Sequence, residues 1–283
     1  MNYIELNDGN RIPQFGLGTW LLKDKCYDSL LIALKAGYRH IDTAEIYLND
    51  ESIAKAIEES GIPREELYIT TKVWFTNYKR DKVRKSVEKS LRQMNLEYLD
   101  LVLLHKNVGN YTEAWKELVE LKKEGKIKSI GVSSFKEKDL KKILNMGSVI
   151  PAVNQIECHP FCQRKDLIKF MDENGIKTEV WSPLGHGSKR IMNHPLFVEL
   201  AKKYNKSPVQ IVLRWHIQNN NIVFPQSTSK EHIESNIDIF DFEISNEDME
   251  RIALIDKNKS IDLIPAWIQY PFLLICGLTV MNK

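Results

Sequence analysis

Cysteine is scarce in this 283-residue chain, and the four cysteines, Cys26, Cys158, Cys162 and Cys276, are scattered along it. Four cysteines with these spacings do not make a disulfide framework. The first residues, MNYIELNDGNR, also lack the charged and then apolar pattern of a secretion signal. We therefore expect a protein of the reducing cytoplasm.

A strong charge of either sign is also absent, because 40 lysines and arginines face 38 acidic residues. The basic residues are interleaved with acids along helical patterns, which is typical of solvated helix faces. We expect no nucleic-acid partner, since such a site needs a concentrated basic surface.

Long apolar runs are missing until residues 263–280, LIPAWIQYPFLLICGLTV. The length of this run approaches a membrane span. Two prolines, Gln269 and Gly277 interrupt it, and these residues are awkward in a lipid-exposed helix. We expect the tail to lie against the folded domain, without a membrane partner.

Several sequence motifs of enzyme chemistry are missing too. The dinucleotide fingerprint G-x-G-x-x-G is incomplete, because Gly16-Leu17-Gly18 is followed by Thr19, Trp20 and Leu21. We also find no P-loop, no serine elbow and no zinc-binding helix motif. A doubly wound open sheet, the fold that carries the fingerprint, is therefore an alternative and not the leading interpretation.

The chain does contain a regular alternation of short apolar strands and amphipathic helices. A first strand within residues 13–20 begins the series, and seven more are predicted at residues 39–42, 68–73, 99–105, 127–133, 152–157, 177–181 and 221–225. No linker interrupts them, so we expect one domain over residues 1–283, with an atypical tail from residue 260. The pattern predicts a (β/α)8 TIM barrel of the α/β class, preceded by a short β-hairpin that turns at Asp8-Gly9.

Local signals at the helix ends agree with this alternation. Gly37 and Gly61 each follow a helical pattern, as helix-ending glycines do. Ser134-x-x-Glu137 and Ser207-Pro208-x-Gln210 resemble capping boxes at helix starts.

Four ionisable side chains fall near the carboxyl ends of three successive predicted strands: Asp42, Tyr47, Lys72 and His105. Those ends meet on the face where barrel enzymes carry their active sites. A nearby lysine would lower the pKa of the Tyr47 phenol, Asp42 would hold that lysine, and neutral His105 would orient a carbonyl. Such a set protonates an oxygen while a hydride, best supplied by a nicotinamide, attacks its carbon. Each side chain alone also fits a capping, packing or solvated role.

The segments GYRHIDTAEIY, TTKVW, LDLVLLH, GVSSF, AVNQIECHPF, WSPLG and SNIDIFDFEIS, taken together and in order, resemble the aldo-keto reductase family over residues 3–256. The resemblance implies a barrel that binds an extended NADPH without a Rossmann motif and reduces aldehydes and ketones. The catalytic tetrad of the family falls on the four ionisable side chains above, with tyrosine as the acid.

The resemblance also implies the contacts of the cofactor and the substrate. The nicotinamide carboxamide would meet Ser133, Ser134 and Gln155, with Trp181 stacked on the ring. Other cofactor contacts would come from Gly18, Thr19, Trp20, Ser182, Leu184, Gln226, Ser227, His232 and Asn236, and the pocket for a small carbonyl substrate from Trp20, Trp74 and Lys106. A monomer is expected.

The departures from the family concern substrate and cofactor choice. Lys106 stands where a tryptophan usually follows the tetrad histidine, and Ser134 replaces a usual asparagine. Gln226 and His232 replace the lysine and arginine that hold the 2′-phosphate of NADPH, although Lys230 lies between them. We therefore expect use of both NADPH and NADH, with NADPH binding strengthened when His232 protonates.

Two other interpretations fit parts of the sequence. Cys158, His159 and Cys162 offer soft metal ligands, but a closed zinc site needs a fourth, so we expect no metal. A binding or regulatory barrel protein of the same family is the alternative function, against which the intact tetrad argues.

Overall fold

The computed structural model describes residues 2–260, so the predicted position of the 263–280 tail lies outside the described residues. The described part opens with an antiparallel hairpin of β1 (Tyr3–Glu5) and β2 (Arg11–Pro13). Gly9 adopts a φ of 81° in the turn between them, a conformation that glycine tolerates best. The hairpin predicted at Asp8-Gly9 is confirmed.

Eight parallel strands follow in one sheet whose spatial order matches the chain order. They are β3 (Leu17–Gly18), β4 (His40–Asp42), β5 (Tyr68–Val73), β6 (Leu99–Leu104), β7 (Ile127–Ser133), β8 (Val153–Glu157), β9 (Lys177–Trp181) and β10 (Ile222–Val223). A parallel bridge between Phe15, two residues before β3, and Val223 of β10 closes the ring of strands. This closure confirms the predicted (β/α)8 barrel.

Eleven α-helices in the described residues connect the strands: α1 (Cys26–Lys35), α2 (Asp50–Ser60), α3 (Arg80–Met94), α4 (Tyr111–Lys123), α5 (Glu137–Leu144), α6 (Lys165–Glu173), α7 (Lys189–Met192), α8 (Pro195–Tyr204), α9 (Pro208–Gln218), α10 (Lys230–Ile237) and α11 (Asn246–Leu254). Short 3-10 turns at Glu45–Tyr47 and Phe75–Asn77 extend two of the loops that follow strands. Within residues 2–260, no helix has the length and apolar character needed to cross a membrane.

Apolar side chains form two buried layers. The larger layer lies between the sheet and the helices and includes one face of α3, formed by Val83, Val87, Leu91 and Met94. The smaller one contains alternate strand residues such as Leu101 and Leu103, together with Leu6 and Ile12 of the hairpin segment. The N-terminal hairpin therefore packs against the inner residues of the strands, away from the loops that carry the site.

Helix ends follow the predicted signals at most positions. Gly37 follows the C-cap of α1, Gly61 caps α2 in a left-handed conformation, and Ser207 forms the capping box with Gln210 at the start of α9. The capping box predicted at Ser134 is wrong, because α5 has Lys136 at its N-cap without a side-chain cap bond. Ser134 instead has a φ of 62° and donates its backbone N–H to the carbonyl of Gln155.

Candidate active site

The strand ends bring the four predicted catalytic side chains together. Asp42 is the last residue of β4, and Tyr47 ends the 3-10 turn that follows this strand. Lys72 is the last residue but one of β5, and His105 comes directly after β6. All four stand at the carboxyl end of neighbouring parallel strands, the face on which barrel enzymes build their sites.

Lys72 and Asp42 form a buried ion pair at the centre of this group. The lysine Nζ donates to both carboxylate oxygens, at 2.7 and 2.8 Å, and to the carbonyl of Thr43 at 2.9 Å. Burial disfavours the ammonium, but the charge and hydrogen bond of Asp42, together with Tyr47 and Glu179, outweigh it, and the pKa of Lys72 lies above its ordinary value. The lysine therefore stays protonated.

Tyr47 lies beside this pair, with the Lys72 ammonium 5.4 Å from the centre of its ring. Burial raises the pKa of Tyr47, and Asp42 adds to the rise, whereas the charge and hydrogen bond of Lys72 lower it. The net shift is upward. The predicted effect of Lys72 is present, but in the protein alone it offsets burial only in part, so Tyr47 keeps its proton.

His105 packs edge-on between two aromatic rings, 4.9 Å from the ring centre of Trp74 and 6.0 Å from that of Tyr47. Burial, together with the charges of Lys72 and Lys106, holds the pKa of His105 well below its usual range. The imidazole is therefore neutral at physiological pH. A neutral imidazole can donate one hydrogen bond to a carbonyl oxygen without adding charge.

Two further contacts tie the loops of the site together. Glu45, two residues before Tyr47, accepts hydrogen bonds from the backbone of Trp74 at 3.0 Å and from Asn77 at 2.6 Å. The Tyr78 hydroxyl donates to the carbonyl of Lys106 at 2.8 Å. The loops after β4, β5 and β6 are thus bonded in sequence, which fixes the four predicted catalytic side chains relative to one another.

The residues predicted to meet the nicotinamide carboxamide lie on β7 and β8. Gln155 donates through Nε2 to Asp42 at 2.8 Å and to Glu179 at 3.1 Å. Ser133 is the buried last residue of β7. With both hydrogens of the Gln155 amide engaged, its oxygen is left as an acceptor, and Ser133 adds a hydroxyl that can donate. This donor and acceptor set fits a primary carboxamide.

Aromatic side chains form the rim beside these residues. Trp181, the half-buried last residue of β9, lies 6.2 Å from the ring of His186. His186 also lies 5.7 Å from Trp20, which is 44% exposed. The backbone N–H of His186 donates to the Ser182 hydroxyl oxygen at 2.8 Å. The hydroxyl hydrogen of Ser182 therefore remains available to donate to a phosphate. Leu184 in the same loop packs on the core.

The residues predicted to meet the adenosine end of the cofactor lie just before α10 and along it. Ser227 accepts from the N–H of Ser229 at 3.1 Å, and Asn236 is buried in α10. Gln226, Lys230 and His232 are all exposed. Glu231, bonded to the Ser229 hydroxyl at 2.6 Å, adds a negative charge between Lys230 and His232.

The remaining predicted residues also flank the strand ends. Thr19 donates its hydroxyl to the carbonyl of Asp42 at 3.0 Å, directly after Gly18 on β3. A Cβ on Gly18 would lie 3.1 Å from the carbonyl oxygen of Phe224, so any side chain at this position would crowd the neighbouring backbone. Trp74 is buried, with its ring against His105.

The Cys158-His159-Pro160-Phe161-Cys162 segment forms a buried turn. His159 contacts Glu157 at 3.2 Å, and burial raises the pKa of both thiols. Over residues 2–260, no group of three or more potential ligand side chains is arranged to hold a metal ion.

Three polar residues of the site were not identified from the sequence: Glu45, Glu179 and His186. Glu179 lies two residues before Trp181 on β9, and the strand period of two puts both side chains on the same face, which could have placed Glu179 inside the barrel. Glu45 lies in the GYRHIDTAEIY segment, but no spacing rule links it to Trp74. His186 carries no signal in the sequence that we can name.

The chain is similar to known proteins over most of its length. The sequence model described as Aldo/keto reductase family matches residues 14–257. Methylglyoxal reductase DkgA of Escherichia coli (strain K12) is 40% identical over 262 residues, covering 91% of this chain and 94% of the relative. The 9,11-endoperoxide prostaglandin H2 reductase of Trypanosoma cruzi (strain CL Brener) is 39% identical, covering 92% and 93%.

Solved structures agree with the sequence relatives. The crystal structure of the Bombyx mori aldo-keto reductase in complex with NADP has a TM-score of 0.88 and 33% identity, and covers 94% of this chain and 96% of its own. An aldo/keto reductase from Brucella melitensis has a TM-score of 0.87 and 41% identity, with 90% and 99% covered. The chain therefore belongs to the aldo/keto reductase family, and is an oxidoreductase that interconverts carbonyl groups and alcohols.

Proposed function

We propose that this protein is an NAD(P)H-dependent reductase of small aldehydes and ketones in which Tyr47 is the general acid. The observation that carries the proposal is the buried Lys72–Asp42 pair beside Tyr47 and His105 at the carboxyl end of the barrel. These groups can hold a carbonyl oxygen and protonate it in the same place.

Each of the four tetrad residues has a role that follows from its charge. His105 stays neutral and directs the carbonyl oxygen toward Tyr47. Tyr47 delivers its proton to that oxygen, and the phenolate that forms is stabilised by the Lys72 ammonium. Asp42 keeps Lys72 in position and charged, while Trp74 and Trp20 exclude water from the substrate side. A bound nicotinamide would supply the hydride for the carbonyl carbon.

The cofactor would lie with its carboxamide on Ser133 and Gln155, its ring on Trp181, and its pyrophosphate near Ser182 and Ser227. Exposed Gln226 and His232 provide no permanent cation for a 2′-phosphate, and the negative charge of Glu231 would repel the phosphate. Use of both NADPH and NADH follows, with Lys230 as partial compensation.

The substrate side combines apolar rings with one cation, Lys106. Relatives named for methylglyoxal reduction make small 2-oxoaldehydes the first substrates to test. A binding or regulatory role on the same barrel is the alternative function, and the intact tetrad favours catalysis over it. The proposal includes action as a monomer in the cytoplasm.

The test is oxidation of NADPH and of NADH by the purified full-length chain, with a panel of aldehydes, ketones and 2-oxoaldehydes. Turnover with at least one carbonyl class supports the reductase. Tight cofactor binding without turnover across the whole panel would support the binding role instead. Size-exclusion chromatography in the same buffer tests the monomer.

A further inference from the structure

Glu179 is a fully buried acid in the barrel interior that the proposed mechanism does not use. In the sheet register it stands opposite Gln155 on β8 and Ile222 on β10. Its Oε2 accepts a hydrogen bond from Gln155 at 3.1 Å. Its Oε1 is buried and has no hydrogen-bond partner among residues 2–260.

The surroundings of Glu179 favour a neutral carboxyl, chiefly because the group is buried. Asp42 faces it from β4, Lys72 and Tyr68 from β5, and Gln155 from β8. Burial, and then the charge of Asp42, raises the pKa of Glu179 to about 8, against the opposing effects of Lys72 and Gln155. With a proton on Oε1, the carboxyl keeps Oε2 as a carbonyl-type acceptor for the Gln155 amide.

Gln155 thus uses both amide hydrogens on carboxyl groups, one on Asp42 and one on Glu179. The amide cannot turn over without placing its oxygen against two acceptors. Its own oxygen is left as the polar atom for a ligand, and a ligand group that meets it must donate a hydrogen bond.

We propose that Glu179 is a positioning residue for cofactor binding, which fixes the Gln155 amide so that its oxygen accepts from the carboxamide N–H of a nicotinamide. The inference rests on the proposed function, because it takes the nicotinamide as the ligand. Through Gln155, Glu179 would favour ligands that donate a hydrogen bond at this position.

The test measures dissociation constants by tryptophan fluorescence for NADPH and for 2′-phospho-ADP-ribose, which lacks the nicotinamide. Glu179→Met keeps the side-chain length and removes the acceptor, whereas Glu179→Gln keeps an acceptor for Gln155. Asp100→Asn is the matched control, because Asp100 is a buried strand acid bonded to Arg64 and the backbone of Ile69.

We expect Glu179→Met to weaken NADPH binding by about threefold to tenfold, as for one lost hydrogen bond, and to leave 2′-phospho-ADP-ribose binding unchanged. Glu179→Gln should bind both ligands nearly as the wild type does. Asp100→Asn should not change the ratio of the two dissociation constants. If Glu179→Met does not fold, Glu179→Thr, which is too short to reach Gln155, gives the same comparison.

Unchanged NADPH binding in Glu179→Met would overturn the inference, and so would an equal loss for both ligands, which indicates a merely structural role. A wild-type protein that binds neither NADPH nor NADH would instead contradict the proposed function. Thermal unfolding of the free protein provides a second readout, since the wild type should lose stability relative to Glu179→Gln as pH rises toward 8.

Discussion

The Lys72 ammonium lies 2.7 and 2.8 Å from the two carboxylate oxygens of Asp42, and both side chains are buried. Removal of one partner leaves the other charge uncompensated in the barrel interior. We expect Lys72→Met to lower the free energy of unfolding by about 3 to 5 kcal/mol, measured by urea denaturation. The double variant Lys72→Met/Asp42→Asn should recover part of this loss, and a double variant as unstable as the sum of the singles would contradict a coupled pair.

The pH dependence of turnover follows from the opposite pKa shifts of Tyr47 and His105. The pKa of His105 is lowered by burial, so protonation of this side chain should not reduce kcat in the ordinary range of histidine titration, about pH 6 to 7. The pKa of Tyr47 is raised by burial, so the acid form should persist into alkaline solution. Steady-state kcat against pH checks both points, and a fall in kcat from pH 7 to 6 that tracks a histidine would contradict them.

Cofactor selectivity should respond to restored cations at the start of α10. Gln226→Lys and His232→Arg place permanent charges at exposed positions where the 2′-phosphate is expected. We expect NADPH to bind about tenfold more tightly per added charge-assisted hydrogen bond, with little change for NADH. Dissociation constants at pH 6 and pH 8 provide the measurement.

In the wild type we expect little preference between NADPH and NADH, because Gln226 and His232 provide no permanent cation. A strong NADPH preference in the wild type would mean that Lys230 or another cation holds the phosphate. Lys230→Ala would then separate these sources.

Lys106 should select substrates by charge, because its ammonium is close enough to His105 to lower the pKa of the imidazole. Lys106→Met keeps the length of the side chain and removes the charge. We expect KM for carboxylate-bearing aldehydes to rise by about fivefold to tenfold, with neutral aldehydes nearly unaffected, as for one charged contact. Equal changes for both substrate classes would show that Lys106 shapes the pocket without selecting charge.

The fold was predictable because its signals are local and repeated. Strand β5 and strand β7 begin and end where periodicity placed them, and Gly61 ends α2 as predicted. The four tetrad positions followed from their places at successive strand ends. Strand β10 was predicted longer than the two residues that pair, because its flanking residues continue the apolar run into loops.

Other features depend on distant parts of the chain and left no local signal. The partnership of Gln155 with Glu179 joins neighbouring strands through their register, and the contact of Glu45 with Trp74 joins two loops that are 29 residues apart. The capping role expected for Ser134 failed because its N–H bonds to Gln155 and the helix begins later.

The most direct test of the proposed mechanism is Tyr47→Phe, which removes the phenolic hydroxyl and keeps the ring between Lys72 and His105. Cofactor binding, measured by fluorescence, and thermal stability should remain close to those of the wild type. The rate of NADPH oxidation with the best aldehyde should fall by about 10²-fold or more, the typical contribution of a general acid. A Tyr47→Phe protein that binds NADPH and reduces the aldehyde at the wild-type rate would contradict the assignment of Tyr47 as the proton donor.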